Sequence, residues 1–489
     1  MRRTICAIAV SLFILSGFGS AHAADPYEAS VRVLRDTVTT SRDGRHIANL
    51  HALRQLRDPS LQPLFERLMD HDDWAVQTHA ALALATLDGQ PLIPIERIRQ
   101  CVPNAQGAIV ATAIESEDVG SETLREVLSW AEFPDAARLR VLLKLHERGE
   151  TVPRDMVARL AATSDLEIAG VASALMSECG DLAMLSDFDA RLAGIPASGQ
   201  RTHREVVLMA IRRHGLASAR PWIERCLNDH AGDRTTVYAA IGAALTIDPV
   251  WGMQLSREAV AAKGSRSEHV RHVMMRMMTS PPLPAKYFRD QTDDDMIQTL
   301  QAMGVARATG ENLADATRAL LALRHRRCTA FALDMLTESE PDLQRNVYWS
   351  IINDAIATPD DPSRLSDIVT VASALYDLDP VTMAARLQSL EDDSPFQQAM
   401  MLGLIGATDP SLGDAAQGIR RIGSNKADSI ALLLVARYTE SLEPTDLVKL
   451  GRLAAGGGEL SDALRVQACW LYVQHADRLA ETLARIFES

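Results

Sequence analysis

The sequence predicts an all-α protein, a right-handed superhelix of roughly a dozen stacked helix pairs. Apolar residues recur at helical spacing along almost the whole chain, and no run alternates with the period of a β-strand. Similar helix pairs return about every thirty residues. Because 47% of the residues are apolar but only 4% aromatic, the core must consist of Ala, Leu, Val, Ile and Met, as in closely packed helices.

The first element is an export signal. Arg2 and Arg3 precede the apolar run 5–18, which is too short to cross a bilayer comfortably. Small residues then meet the requirement of a signal peptidase, so we expect cleavage after Ala23, with Ala24 as the alternative. No later stretch approaches roughly 18 uninterrupted apolar residues. We therefore expect a periplasmic or secreted protein with no membrane span in the mature chain.

Charge and cysteine content exclude several classes of partner and site. Loss of the leader moves the formal charge from -14 to about -16, because two of the 50 basic residues and none of the 64 acidic residues are removed. Nucleic acid and anionic membrane are unsuitable partners for so negative a surface. The remaining cysteines are single, far apart and odd in number, so neither a disulfide framework nor a zinc site is expected. They are Cys101, Cys179, Cys226, Cys328 and Cys469.

The clearest helix of the repeat follows Asp73, an acidic residue suited to cap a helix N-terminus. Val76, Ala80 and Leu84 fall on one face, and the alanines allow a neighbouring helix to approach closely. The Asp-Gly pair that ends at Gly89 is a signal for the helix C-terminus.

This segment resembles the second helix of a HEAT-like repeat, with the pattern V-R-x-x-A-A-x-A-L, in which Gln77 replaces the arginine. The segment 59–69 resembles the first helix, and Arg465 restores the arginine in the last unit. The resemblance implies an armadillo-type α-solenoid and is strongest between about residues 44 and 280. Tetratricopeptide and ankyrin arrays have similar periods, but the signature residues of neither family occur in this sequence. A helical bundle or barrel remains an alternative fold. Candidate second helices begin near Asp43, Asp73, Asn104, Asp135, Asp165, Thr202, Asp233, Arg266, Glu311, Asp342, Ser394, Lys426 and Ser461.

The repeat divides the mature chain into two predicted arrays. Residues 25–280 form the regular HEAT-like array, and residues 301–489 form a second, more irregular one. The segment between them, 281–300, is rich in Pro and Asp and cannot continue a helix. Two further stretches, 358–362 and 456–458, read as loops within the second array.

The segment from His269 and His272 through Met274–Met278 is the strongest candidate for chemistry. Imidazole and thioether groups are ligands for a soft metal such as copper(I). The repeat register offers a simpler interpretation, because it places the four methionines on core-facing positions, where methionine fills gaps. We favour packing, and a metal-handling protein or an enzyme on a helical frame is the alternative.

Weaker candidates are explained by the same register. The segment Asp70–Asp73, with His51 and His79 nearby, contains the residue types that bind metal in metal-dependent phosphohydrolases. It falls on the turn between two helices, where an aspartate is expected to cap the N-terminus of the second helix. Cys226 and His230 lie one helical turn apart without a second pair of zinc ligands.

The remaining features also favour structural roles. The basic run 324–327 is typical of a solvated helix face and, less often, of a surface for an acidic partner. Cys179 and Cys469 take core positions in the repeat, which is typical of packing thiols.

No set of residues forms a recognisable catalytic, cofactor or metal site, so none is assigned. Stacked helix pairs present an extended surface suited to protein or peptide recognition. We therefore predict a non-catalytic scaffold that binds an unknown protein or peptide partner in the cell envelope.

Overall fold

A computed structural model gives the fold of the 489-residue chain. It describes 24 α-helices and no strand among its described residues, which confirms the predicted all-α class. The described residues are 25–39, 44–114, 119–230, 232–263, 266–323, 325–337, 339–357, 363–375, 441–457 and 460–487, with single positions between 378 and 437.

The α-helices are numbered here in chain order. They are α1 (Pro26–Thr39), α2 (Gly44–Gln55), α3 (Gln62–Leu68), α4 (Trp74–Leu87), α5 (Ile95–Gln100), α6 (Pro103–Ala113), α7 (Ser121–Leu128), α8 (Asp135–Glu147), α9 (Arg154–Ala161), α10 (Leu166–Glu178), α11 (Ala183–Leu192), α12 (Ala197–His214), α13 (Arg220–Asp229), α14 (Arg234–Ile247), α15 (Pro249–Lys263), α16 (Arg266–Met277), α17 (Asp295–Thr309), α18 (Leu313–Ala322), α19 (Arg326–Thr337), α20 (Pro341–Ala357), α21 (Ser363–Leu375), α22 (Pro444–Ala454), α23 (Asp462–His475) and α24 (Leu479–Phe487).

Aspartates begin several helices as the sequence predicts. Asp73 accepts a hydrogen bond from the Ala75 backbone N–H at 2.8 Å, and Asp165 and Asp233 cap α10 and α14 in the same way. Each carboxylate satisfies backbone N–H groups that the first turn leaves unpaired. At the other end of α4, Gly89 follows the helix with a φ of 64°, a left-handed conformation that glycine adopts without steric strain.

The chain forms two compact units, and the larger is Gln90–Asp367. In this unit α6, α8, α10, α12, α14 and α16 form a row in which each helix packs against the next. The intervening helices pack against members of the row: α7 against α8, α9 and α11 against α10, and α13 against α14. The row members are the predicted second helices, and their buried faces are rich in Ala, Val and Leu, which allow close approach.

A long polar side chain at the fourth position of a helix recurs through both units. Gln106 of α6 donates through Nε2 to the carbonyl of Cys101 at 2.8 Å, and Arg138 of α8 donates to that of Trp130 at 2.9 Å. These bonds satisfy buried carbonyls of the turn before the helix. Gln77 of α4 does the same toward Met69 at 3.2 Å, so the glutamine replaces the expected arginine with its function retained.

Arginines provide a second set of contacts, to backbone carbonyls about one repeat length earlier in the larger unit. Arg148 donates to the carbonyl of Val119 at 2.6 Å, and Arg191 donates to that of Ala161 at 2.9 Å. Arg307 reaches the carbonyl of Thr279 at 3.0 Å. The donors and acceptors are separated by 29, 30 and 28 residues. The repeat seen in the sequence thus has a matching repeat of hydrogen bonds.

The smaller unit comprises Met1–Gly89 and Ile368–Ser489, so helices from both ends of the chain share one core. Helix α23 packs against α1 and α2, and α2 packs against α4. Gln467 donates to the Ala52 carbonyl at 2.8 Å, and the buried Trp470 indole donates to Ser60 Oγ at 3.1 Å. The sequence pattern contains no signal for this pairing, which joins residues 415 positions apart.

The Pro/Asp-rich segment 281–300 lies within the larger unit. It contains a short 3₁₀ helix, Ala285–Phe288, whose Phe288 ring packs against Gly304 so closely that a Cβ there would collide with the ring. The predicted export signal 1–23, the loop 358–362 and the predicted repeats near residues 394 and 426 lie outside the described residues.

Candidate functional site

Helix α16 carries the strongest candidate from the sequence, and His272 lies in its middle with no exposed surface. Its Nδ1 lies 2.7 Å from the hydroxyl of Ser256 on α15. The edge of the imidazole also packs against the ring of Tyr238 on α14, with 5.4 Å between centroids. Two neighbouring helices, α14 and α15, therefore fix the orientation of this imidazole.

A serine hydroxyl beside an imidazole is the arrangement of a nucleophile and its general base, but the surroundings of Ser256 and His272 favour a packing role. Both residues are fully buried, so in this conformation no substrate reaches the hydroxyl. Burial, followed by the nearby positive charge of Arg276, lowers the pKa of His272 to about 4. An imidazole with this pKa is a weak base at neutral pH, and the pair joins α15 to α16.

The methionines of α16 differ in part from the prediction that all four face the core. Met275 and Met277 are buried, Met274 is half-buried, and Met278 is 43% exposed. The sequence spacing explains the difference, because three methionines within four residues point to different faces of α16, and Met278 follows the end of the helix. His269 is half-buried on the same helix.

Sequence reasoning missed Arg276, which is 2% exposed between the methionines. Its guanidinium forms an ion pair with Asp290 and donates to the Tyr287 carbonyl at 3.0 Å. Burial opposes ionisation of Asp290, but Arg276 and Arg257 outweigh it and lower the pKa of that carboxyl. A charged pair thus anchors the proline-rich segment to α16.

The acidic turn 70–73 has a structural role. His71 accepts a hydrogen bond from the Asp73 backbone N–H through Nδ1 at 3.0 Å, and Asp73 caps α4. Within the described part of the chain, no group of three or more His, Cys, Asp and Glu side chains is arranged to hold a metal ion.

The cysteines differ in burial. Cys226 and Cys469 are buried, and burial raises the pKa of each thiol to about 12. Cys179 follows the last residue of α10 and is only half-buried, so its predicted place in the core is wrong. The sequence register aligns it with Leu87, which ends α4 and is half-buried as well, so this position of the repeat lies at the edge of the core.

The basic run 324–327 is described only in part. Arg324 and the side chains of Arg326 and Arg327 lie outside the described residues. His325 is half-buried and lies 3.6 Å from the sulfur of the buried Cys328.

Two helices of the smaller unit bring together a set of basic side chains that the sequence did not connect. We call His46, His51 and Arg54 of α2, with His79 of α4, the histidine–arginine cluster. The rings of His51 and His79 meet edge to face, with centroids 6.0 Å apart, and Arg54 donates to Nδ1 of His51 at 3.2 Å. The sequence placed two of the histidines near the acidic turn, whereas α2 and α4 bring them together with Arg54.

Comparison with known proteins adds no assignment. No family model, no curated protein and no solved structure matches the chain. In the part of the chain that the structure describes, no helix combines the length and apolar character needed to cross a bilayer.

Proposed function

We propose that the chain is an exported, HEAT-like α-solenoid that acts as a non-catalytic scaffold for a protein or peptide partner. The leader is removed after Ala23, and the mature protein works in the periplasm or outside the cell. The observation that carries the proposal is the row of six second helices in the larger unit, each packed against the next. Stacked rows of this kind provide extended surfaces for protein recognition.

The hydrogen bonds between repeats support the same proposal. Gln106 and Arg138 direct their polar groups into the turns. Arg148 ties the end of α8 to the loop before α7, and Arg191 of α11 ties its helix pair to the end of α9 in the preceding pair. These bonds use side chains at the ends of helices, so the exposed middles of the row helices remain available for a partner. A frame held in this way presents a preorganised surface and reduces the entropy lost on binding.

An exposed apolar side chain on the row provides the test. Met209 of α12 is 61% exposed, and Val250 of α15, outside the row, is 70% exposed. Crosslinking in intact cells and purification of the complex would identify the partner, and titration of the purified partner would give the affinity of each variant. We expect Met209→Lys to weaken binding several-fold and Val250→Lys, the matched control, to leave it unchanged.

Two results would overturn the proposal. One is partner binding that Val250→Lys weakens and Met209→Lys leaves intact, because the partner would then use a different surface. The other is a mature protein that captures no partner and turns over a small-molecule substrate by itself.

A further inference from the structure

Helices α2 and α4 contain no carboxylate, although the chain as a whole has 64 Asp and Glu in 489 residues. The carboxylate-free stretch of α2 continues to Arg57 beyond the helix. At the average density of acidic residues, these two helices would carry about three. Their only ionisable groups are arginines and histidines, so a strongly acidic protein has a local positive surface here.

Packing of α2 against α4 concentrates these groups at one place. His51 is exposed, Arg54 and His79 are half-buried, and His46 lies deepest with 5% of its surface exposed. The amide nitrogen of Gln55 lies 3.1 Å from Nε2 of His51, so both nitrogens of this ring face side chains of α2. The cluster is therefore ordered and reachable from solvent.

Arg54 lacks the partner that a half-buried arginine normally has. Among the described residues its guanidinium bonds to His51 and forms no ion pair with a carboxylate. Burial, and then the charge of Arg57, lowers the pKa of Arg54. A desolvated guanidinium without a counter-charge is unfavourable, and a bound anion would relieve it.

His79 also lies near positively charged side chains. Burial, and then the charges of Arg54, His51 and His46, lower its pKa to about 4. No acidic group of the described residues acts on it in the opposite direction. Its Nδ1 is buried and has no hydrogen-bond partner in the described part of the chain. Among the described residues, an imidazole with an unpaired nitrogen thus lies near a guanidinium that has no anionic partner.

We propose that Arg54, His51 and His79 form a binding site for an oxyanion, the carboxylate or phosphate group of a ligand. The planar guanidinium presents several N–H groups, of which His51 takes one, and the others match the spacing of two oxyanion oxygens. The imidazole of His79 adds an N–H donor beside them, and His51, whose Nδ1 accepts from Arg54, positions the guanidinium. Because the protein as a whole is negative, binding depends on these short-range contacts, since ions screen distant charges beyond about 8 Å.

The test uses the full mature chain with isotope-labelled histidine at pH 7. Sodium phosphate and sodium acetate are titrated separately, with sodium chloride added to keep the ionic strength constant. We expect saturable shifts of the His79 and His51 resonances with at least one of the two anions. Tighter binding of phosphate indicates a phosphorylated ligand, and tighter binding of acetate indicates a carboxylate ligand.

Variants separate binding from a general salt effect. We expect Arg54→Gln to weaken anion binding at least tenfold and Arg54→Lys to weaken it less. Arg32→Gln removes an exposed arginine from α1 of the same unit and should leave binding unchanged. Circular dichroism checks the folding of each variant, and His79→Asn, which should also weaken binding, provides an independent test if Arg54→Gln does not fold.

The proposal is wrong if neither anion shifts the His79 resonance, or if Arg54→Gln binds as tightly as the wild type. It does not rest on the scaffold function, because the row of second helices in the larger unit can bind a partner whether or not this site takes an anion. Failure of the anion titration would therefore leave the crosslinking result unaffected.

Discussion

The buried imidazole of His272 should make the stability of the larger unit depend on pH. Its pKa is about 4 in the folded protein, against an ordinary value of 6.5, because burial and Arg276 disfavour the charged form. Between these two values the unfolded chain binds a proton that the folded chain does not. The stabilisation is therefore complete above pH 6.5 and is lost as the pH falls toward 4.

The size of the effect follows from the two pKa values. At pH 7 both states are largely neutral at His272, and at pH 5 only the unfolded state is protonated. The linkage relation gives a loss of about 2 kcal/mol of unfolding free energy between pH 7 and pH 5. For a unit of this size, that corresponds to a decrease of about 4 to 8 °C in the melting temperature.

The assay compares melting temperatures of the wild type and His272→Gln at pH 7 and pH 5. The variant loses the hydrogen bond to Ser256 at both pH values, so this loss cancels in the difference between them. The pKa of His79 is also lowered to about 4, and its effect cancels because both proteins contain it. We expect the melting temperature of the wild type to fall more than that of the variant.

Equal decreases in the two proteins would refute the reasoning, because His272 would then titrate alike in the folded and unfolded chains. His269→Gln is the matched control, a half-buried histidine on the same helix. A histidine resonance assigned to His272 that titrates near pH 6.5 would refute it directly.

Two further predictions concern packing. Gly170→Ala should destabilise the larger unit by about 1 to 3 kcal/mol in urea unfolding, because a Cβ there would lie 2.5 Å from a methyl group of Val207, whereas Gly232→Ala enters open space and should be nearly neutral. Arg138→Met should cost about 1 to 3 kcal/mol, because it removes the donor to the Phe133 carbonyl and leaves the Trp130 carbonyl with only the Phe133 N–H at 3.4 Å, and Arg138→Gln should cost less than about 1 kcal/mol, since glutamine retains a donor. Equal effects within either pair would contradict the assigned contacts.

Local signals explain why the helices were predictable. Asp73, Asp165 and Ser461 cap helices by side-chain hydrogen bonds to residues two or three positions away, so short stretches of sequence contain the whole interaction. The apolar faces of α4 and α10 repeat with the helical period for the same reason.

Long-range packing explains what was missed. Gln467 meets Ala52 across 415 residues, and no pattern in either segment identifies the other. Arg54 and His79 lie on different helices, and their common environment appears only when α2 packs against α4. The burial of Arg276 also depends on Asp290, which lies beyond a proline-rich loop. Each case requires knowledge of which surfaces meet.

The hydrogen bonds at the fourth helical position explain why the repeat is hard to see in the sequence. Gln77, Gln106, Arg138 and Gln344 all donate to carbonyls of the preceding turn, although their side chains differ in charge and length. What the turn requires is an N–H donor that can reach a carbonyl five to eight residues earlier in the chain, around the helix N-terminus, so either residue type satisfies it. Sequence identity between repeats can then decrease while the geometry is retained. A search for an arginine misses three of these four units, whereas a search for any long donor at this position, followed by small apolar residues, should find them.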